Sequence, residues 1–283
     1  MSRTDTRVIH DAAIYRDPPS TLRAMTGLIA AGCALFGLLI GSFLNVVIWR
    51  VPRKESVVKP VSHCPGCDTP IAPRDNVPVL SWLLLRGRCR HCSTRISVRY
   101  PLIELACAAL FAAIGARFAH SWALPAYLMF GAGLLAISAI DLEHYIIPNR
   151  IVYPVGFASI PLLALGAGLD GDWWSFARAL IGAACAFTAL YVIHVVSPRG
   201  MGYGDVRLSF LLGLYLGFLG ALEVAVGLFL GFAYGAVVGI GLMVAGVRTR
   251  KQHVPFGPFL AAGAMTIILV GGPILDWYRG LGG

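Results

Sequence analysis

Charge is the scarcest property of this chain: charged residues make up 13% of 283 positions, against roughly a quarter in soluble domains. A soluble globule is thereby excluded, since hydrophobic residues reach 57%. Alternation of polarity within the apolar stretches is also missing, which excludes an outer-membrane barrel whose strands face lipid and lumen in turn. No glycine-rich nucleotide fingerprint and no convincing sequence repeat occur. Long polar segments are absent except for one, residues 50–100, so the remaining chemistry is confined to short loops and helix ends. Three of the seven cysteines, Cys33, Cys107 and Cys185, fall inside apolar runs at no shared spacing and read as small buried hydrophobes.

What is present is a series of apolar runs near the length of about 18 to 20 residues that carries a helix across a bilayer. Eight are expected, near 25–48, 102–119, 122–140, 151–169, 175–196, 207–222, 224–246 and 257–276. Gly220 and Glu223 break the long run from Val206 to Val247, and Arg117, His120 and Ser121 break the run from Pro101 to Ile140. Basic residues check the count, because loops rich in Lys and Arg stay in the cytoplasm. With eight spans, one side collects ten (Arg50 to Arg99), one (Arg150), two (Arg199, Arg207) and three (Arg248, Arg250, Lys251), which is 16 of the 23. Both termini are then expected outside. The net charge of +9 reflects orientation, not nucleic-acid binding. The first run is too long for a secretory signal and ends in the stop-transfer residues Arg50, Arg53 and Lys54.

The expected fold is an all-α polytopic membrane protein of about eight transmembrane helices. A small zinc-binding cytosolic domain is inserted between the first and second helices. The divisions are an N-terminal tail (1–24), a first transmembrane helix (25–49), the four-cysteine domain (50–100) and a bundle (101–283). Gly213 with Gly217, and Gly227, Gly231, Gly235 and Gly239, lie at four-residue spacing. Such faces bring helix backbones close together, and packing is preferred over a gliding surface.

Cys64-Pro-Gly-Cys67 and Cys89-Arg-His-Cys92 are two C-x-x-C knuckles separated by 21 residues. That is close to four-thiolate zinc spacing. A fifty-residue insert has too little core to fold securely without such a staple. A redox dithiol and an iron–sulfur site are the alternatives, whereas a reducing cytosol argues against disulfides. His63 and His91 flank the knuckles as bystanders. A closed four-cysteine site has no open coordination position, so the metal is expected to be structural.

Carboxylates are costly at a membrane span and are functional candidates by default. Asp141 ends the third run, and Asp205 closes Gly200-Met-Gly-Tyr-Gly-Asp205 and opens the sixth. The derived topology puts both on the cytosolic side. Brought together, they would hold one proton between them, activate a water and protonate a leaving amine. Asp205 has a plainer alternative as a helix cap. Asp141 has less of one, since a helix C-terminus disfavours negative charge. Glu143 is a second-tier candidate, Gly202 and Gly204 allow close backbone approach by a substrate, and Glu104 fits a first-turn position after Pro101.

These residues resemble the bacterial type IV prepilin leader peptidases, intramembrane aspartyl proteases of the GxGD type. Gly41-Ser-Phe-Leu-Asn-Val-Val-Ile-Trp-Arg50 is similar to the family's opening segment. The paired knuckles, with Asn76-Val-Pro78 and Ser81-Trp82 between them, are similar to its cytosolic insert. Tyr100-Pro-Leu-Ile-Glu104, Asp141 with Ile147-Pro148-Asn149, Gly202-Tyr-Gly-Asp205 and Pro255-Phe-Gly-Pro258 follow in order. The resemblance implies that Asp141 and Asp205 are the catalytic pair. It implies cleavage of short basic leaders from prepilins and pilin-like secretion subunits at the cytosolic face of the inner membrane. It also implies N-methylation of the product from S-adenosylmethionine. Two departures stand out: Asn149 where aspartate is frequent, and Arg207 where lysine is frequent, the latter expected to favour ionisation of Asp205. From another class, a transporter or channel with a regulatory zinc domain competes. Against it, the acidic residues gather at one face, whereas transporter sites lie near the midplane.

Overall fold

The computed structural model describes residues 20–198, 201–246 and 255–280. The N-terminal tail to residue 19, Arg199, Gly200 and the basic cluster at 248–251 lie outside the described residues. Eight long helices follow the eight apolar runs: α1 (Ser20–Arg50), α3 (Arg99–Arg117), α4 (Leu124–His144), α5 (Asn149–Asp170), α6 (Trp173–Val196), α7 (Tyr203–Leu219), α8 (Ala221–Val244) and α9 (Gly257–Gly280). A short helix, α2 (Leu80–Leu84), lies in the insert. Among the described residues there is no strand, only isolated bridges at the knuckles. Six helices, α1, α3, α4, α5, α6 and α8, are long and apolar enough to cross a membrane. The chain is an all-helical, multi-pass membrane protein.

Both breaks in the long runs fall where the sequence places them. Gly220 separates α7 from α8. The turn after Arg117 is tied down by Asp170, which accepts from Ser121 Oγ at 2.8 Å and from the Trp122 amide at 3.2 Å.

Glycine sets how closely the helices pair. A Cβ on Gly37 would lie 2.8 Å from Ala108 Cα, and one on Gly41 would lie 2.7 Å from Glu104 Cα, so α1 seats directly on α3. Gly182 on α6 faces Gly213 and Gly217 on α7, where an added carbon would strike backbone carbonyls on both sides. Gly227 and Gly231 on α8 meet Leu216 and Leu260, while Gly239 meets nothing. Packing therefore accounts for the face without any gliding surface. Gly213→Val is expected to push α6 from α7 and cost about 1–3 kcal/mol, read as a lower melting temperature of the purified protein. An unchanged melting temperature would reject this contact as a determinant of the bundle.

Packing also gives α7 its place. From Asp205 to Phe218 nearly every residue is buried, so α7 is the central helix, apolar all round because it has no lipid face. Its anchor is a polar knot. Tyr127 Oη donates to the Tyr215 carbonyl at 2.9 Å, Tyr215 Oη donates to the Ala126 carbonyl at 2.9 Å, and Ser159 Oγ lies 2.7 Å from Tyr215 Oη. Lipid-facing positions such as Leu28, Phe157 and Val244 are correspondingly exposed. Exposed aromatics mark both ends: Trp122, Trp173 and Trp174 at one, Trp49, Tyr153 and Tyr203 at the other, as at bilayer interfaces.

Candidate active site

Asp141 lies in the last turn of α4 and is 4% exposed; Asp205 lies in the first turn of α7 and is 8% exposed. α4 closes with Tyr145 in the left-handed conformation, its N–H bonded to the Asp141 carbonyl at 2.9 Å. Ile147 and Pro148 then turn the chain into α5. Ile147 links the two acidic segments: a carbon added to Gly204 would lie 3.0 Å from its Cβ, and one added to Gly257 would lie 3.2 Å from its Cδ1. α9 packs against both α4 and α7, and at its start the Gly257 amide donates to Asp141 Oδ2 at 3.0 Å. The segments that carry Asp141 and Asp205 thus meet at one end of the bundle, with Ile147 between Gly204 and Gly257.

Gly202 is the N-cap of α7, and Asp205 Oδ2 lies beside it, 3.3 Å from where a carbon on Gly202 would sit. Asp205 Oδ1 is buried without a hydrogen-bond partner among the described residues. A buried, unsatisfied carboxyl oxygen is costly. Capping alone therefore does not account for this residue.

The other candidates are placed as follows. Glu143 pairs with Arg99 at 2.6 Å, tying the end of α4 to the start of α3. Glu104 is buried, and its Oε2 accepts from the Val79 amide at 2.7 Å. Val79 holds a left-handed φ of 59°, a strained state for a β-branched residue. Glu104 thus fastens the insert to α3. Beside it, Asn45 donates to the Tyr100 carbonyl at 3.1 Å.

The four cysteines converge. Their sulfurs all lie within 4.8 Å of one another, with Cys64 and Cys92 Sγ 3.7 Å apart. A tetrahedral ion with bonds of about 2.3 Å needs sulfurs about 3.8 Å apart, so the set fits. Neither His63 nor His91 belongs to the cluster. The knuckles are copies of one turn. Cys64 N bonds Thr69 O at 3.0 Å and Cys89 N bonds Thr94 O at 2.9 Å, while Asp68 and Ser93 take matching left-handed φ values of 53° and 60°. The shared pattern C-x-x-C-x-T was the signal available for this local repeat. The Thr94 hydroxyl and amide beside Cys92 hold its thiol down to about 6, and the Cys92 and His91 amides lower that of Cys89. Such thiols favour the thiolate form that binds metal.

Comparison with known proteins matches residues 128–270 to the type IV leader peptidase family. The chain belongs to that family. Residues 35–118 match the bacterial peptidase A24 N-terminal domain. Curated relatives include a prepilin leader peptidase/N-methyltransferase of Stutzerimonas stutzeri, 36% identical over 278 residues, covering 87% of this chain and 92% of the relative. A protein of the same name from Aeromonas hydrophila is 35% identical, covering 86% and 91%. One from Myxococcus xanthus is 41% identical over 202 residues, covering 70% and 59%. No solved structure matches the chain.

In this member of the type IV leader peptidase family the two departures prove to be partners. Arg207 Nη1 donates to Asn149 Oδ1, its Nε reaches the Tyr203 carbonyl at 3.3 Å, and its guanidinium sits 5.0 Å from the Tyr203 ring centroid. The guanidinium of Arg207 is thus engaged with Asn149 on α5 and with Tyr203. Sequence reasoning also left Gly257 without a role, although a glycine between Phe256 and Pro258 at a helix start was visible. A carbon there would lie 2.9 Å from Asp141 Oδ2. Gly257→Ala is expected to shift that carboxyl and lower kcat by about ten- to a hundredfold with little change in melting temperature. Wild-type turnover would remove Gly257 from the site.

Proposed function

We propose that this chain is a membrane-embedded aspartic endopeptidase that removes the basic leader from type IV prepilins and pilin-like secretion subunits. It then methylates the new N-terminal amine. The observation that carries the reading is the pair of buried aspartates at one end of the bundle, one with a carboxyl oxygen that has no hydrogen-bond partner among the described residues. Membership of the type IV leader peptidase family and the names of the curated relatives support the same activity.

Two carboxyls brought together over a substrate hold one proton between them. The ionised partner takes a proton from water as the water adds to the scissile carbonyl. The protonated partner gives its proton to the leaving amine as the C–N bond breaks. Gly202 borders the Asp205 carboxyl, and Gly204 lets Ile147 pack close beside it. Gly257 holds Asp141 from the opposite side.

All eight long helices cross the inner membrane in this proposal, with the insert and dyad on the cytosolic side and both termini outside. Zinc, held by Cys64, Cys67, Cys89 and Cys92, folds the insert. S-adenosylmethionine supplies the methyl group when bound. The partners are the substrate subunits and the bilayer, with no nucleic acid.

The deciding experiment incubates the purified full-length chain with a short prepilin, with and without the methyl donor, and weighs the products. The expected result is a product shortened by its leader in both samples and one methyl group heavier only with the donor. Unmethylated product from zinc-loaded protein removes the second activity, and an uncut substrate removes the first.

A further inference from the structure

Beside the dyad lies a second concave site that the cleavage mechanism does not use. It is an open cavity of about 250 Å³. It forms where the turn after α1, the Ile146–Arg150 segment and α7 meet. Its walls carry Lys54, Arg150 and Arg207, with Asn149 between the last two and Pro52 and Ile147 as apolar floor. No carboxylate lines it. Arg207 is engaged with Asn149, but the side chains of Lys54 and Arg150 have no hydrogen-bond or ion-pair partner among the described residues. Three cations converging on one cavity without an anion repel each other, and an anionic ligand relieves that repulsion.

The depth of the cavity identifies the class of ligand. Trp49, half-exposed one turn earlier on α1, has the Arg53 guanidinium 3.6 Å above its ring. An exposed tryptophan under an arginine at a helix end marks the headgroup level of a bilayer. Lys54 then turns back through a left-handed φ of 61° at the mouth of the cavity. A basic pocket between helix ends at this level suits a lipid phosphate, with the Pro52 and Ile147 surface beside it for the glycerol and upper acyl carbons. A basic leader peptide would be repelled from it.

We propose that this cavity binds the phosphate of an anionic phospholipid headgroup through Lys54, Arg150 and Arg207. Ile147, which forms its floor and also packs beside both Gly204 and Gly257, places the bound lipid against the segments that carry the aspartates. The inference rests on the membrane placement above, not on the peptidase reading.

The test measures retained lipid. The full-length chain is reconstituted in phosphatidylcholine vesicles containing a minor fraction of phosphatidylglycerol, extracted gently, and weighed by native mass spectrometry. Wild type is expected to retain phosphatidylglycerol in preference to phosphatidylcholine, and Asp205→Asn is expected to do the same, which separates this result from any failure of cleavage. Lys54→Gln and Arg150→Gln are each expected to lower retention on the order of fivefold, Lys54→Arg is expected to preserve it, and Arg74→Gln in the insert is the control. Equal retention by wild type and both glutamine variants overturns the site. Binding of inorganic phosphate to wild type with no preference between the two lipids overturns the lipid assignment in favour of a soluble phosphate ligand.

Discussion

Replacing either Asp141 or Asp205 with asparagine is expected to lower leader cleavage by at least about a thousandfold, the scale for loss of one member of a pair that acts as a unit. The double variant is expected to be no worse than either single one, since the remaining carboxyl has nothing to exchange a proton with. Asparagine is the informative replacement at position 205. It keeps the size and an acceptor oxygen beside Gly202, the N-cap of α7. A helix-capping role alone therefore predicts active Asp205→Asn protein, whereas a proton-transfer role predicts folded, inactive protein. Processing of a co-expressed prepilin, read beside the melting temperature, separates the two. Normal cleavage by either variant would end the two-aspartate mechanism.

The second large effect belongs to the insert. A segment of about fifty residues buries too little apolar surface to be stable alone, and metal binding then supplies much of its folding free energy. Cys64→Ser or Cys92→Ser is expected to cut bound zinc from one ion per chain to below roughly a tenth, measured by elemental analysis of the purified protein. Residues 50–100 of the variants should become sensitive to protease while the bundle stays intact. Zinc uptake near neutral pH should also release protons. Cys64 is lowered by its Gly66 amide bond, yet burial and the neighbouring thiols raise it overall to about 11, so it is a thiol that the ion must deprotonate. Acidification reverses this, and Cys92, held down near 6, reprotonates late in that descent. Full zinc content in both serine variants would discard the four-thiolate site.

Helix positions were readable because a bilayer demands long apolar runs, and breaks in them need visible polar or glycine residues. Gly220 and the Arg117–Ser121 segment are such residues, and the helices divide there. The cysteine cluster was readable for a similar reason: two short turns each fix a pair of sulfurs locally, so spacing carries nearly all the geometry. Asp141 and Asp205 stood out by their cost next to apolar runs.

Partnerships between distant segments were not legible, because a single sequence records what each segment is and not what it meets. The Gly257 amide on Asp141 joins residues 116 apart, and neither local pattern announces the other. Glu104 read as an ordinary first-turn carboxylate for the same reason, since its acceptor role depends on a strained turn at Val79. Arg207 was not readable as a partner of Asn149, because two residues along a helix turn it about 200° from Asp205 toward a segment 58 residues away.

The shortness of α7 bears on how a substrate is opened. Seventeen residues extend about 25 Å, less than the roughly 30 Å thickness of the hydrocarbon. Its first turn, with Tyr203 exposed and Arg207 in the basic cavity, lies at the headgroup level, and a peptide reaching Asp205 as a continuous helix would keep its amides locked in i to i−4 bonds. Cutting there would require a local melt of that helix before the water can add. A glycine at the scissile position would lower the cost of melting by about 1 kcal/mol relative to alanine.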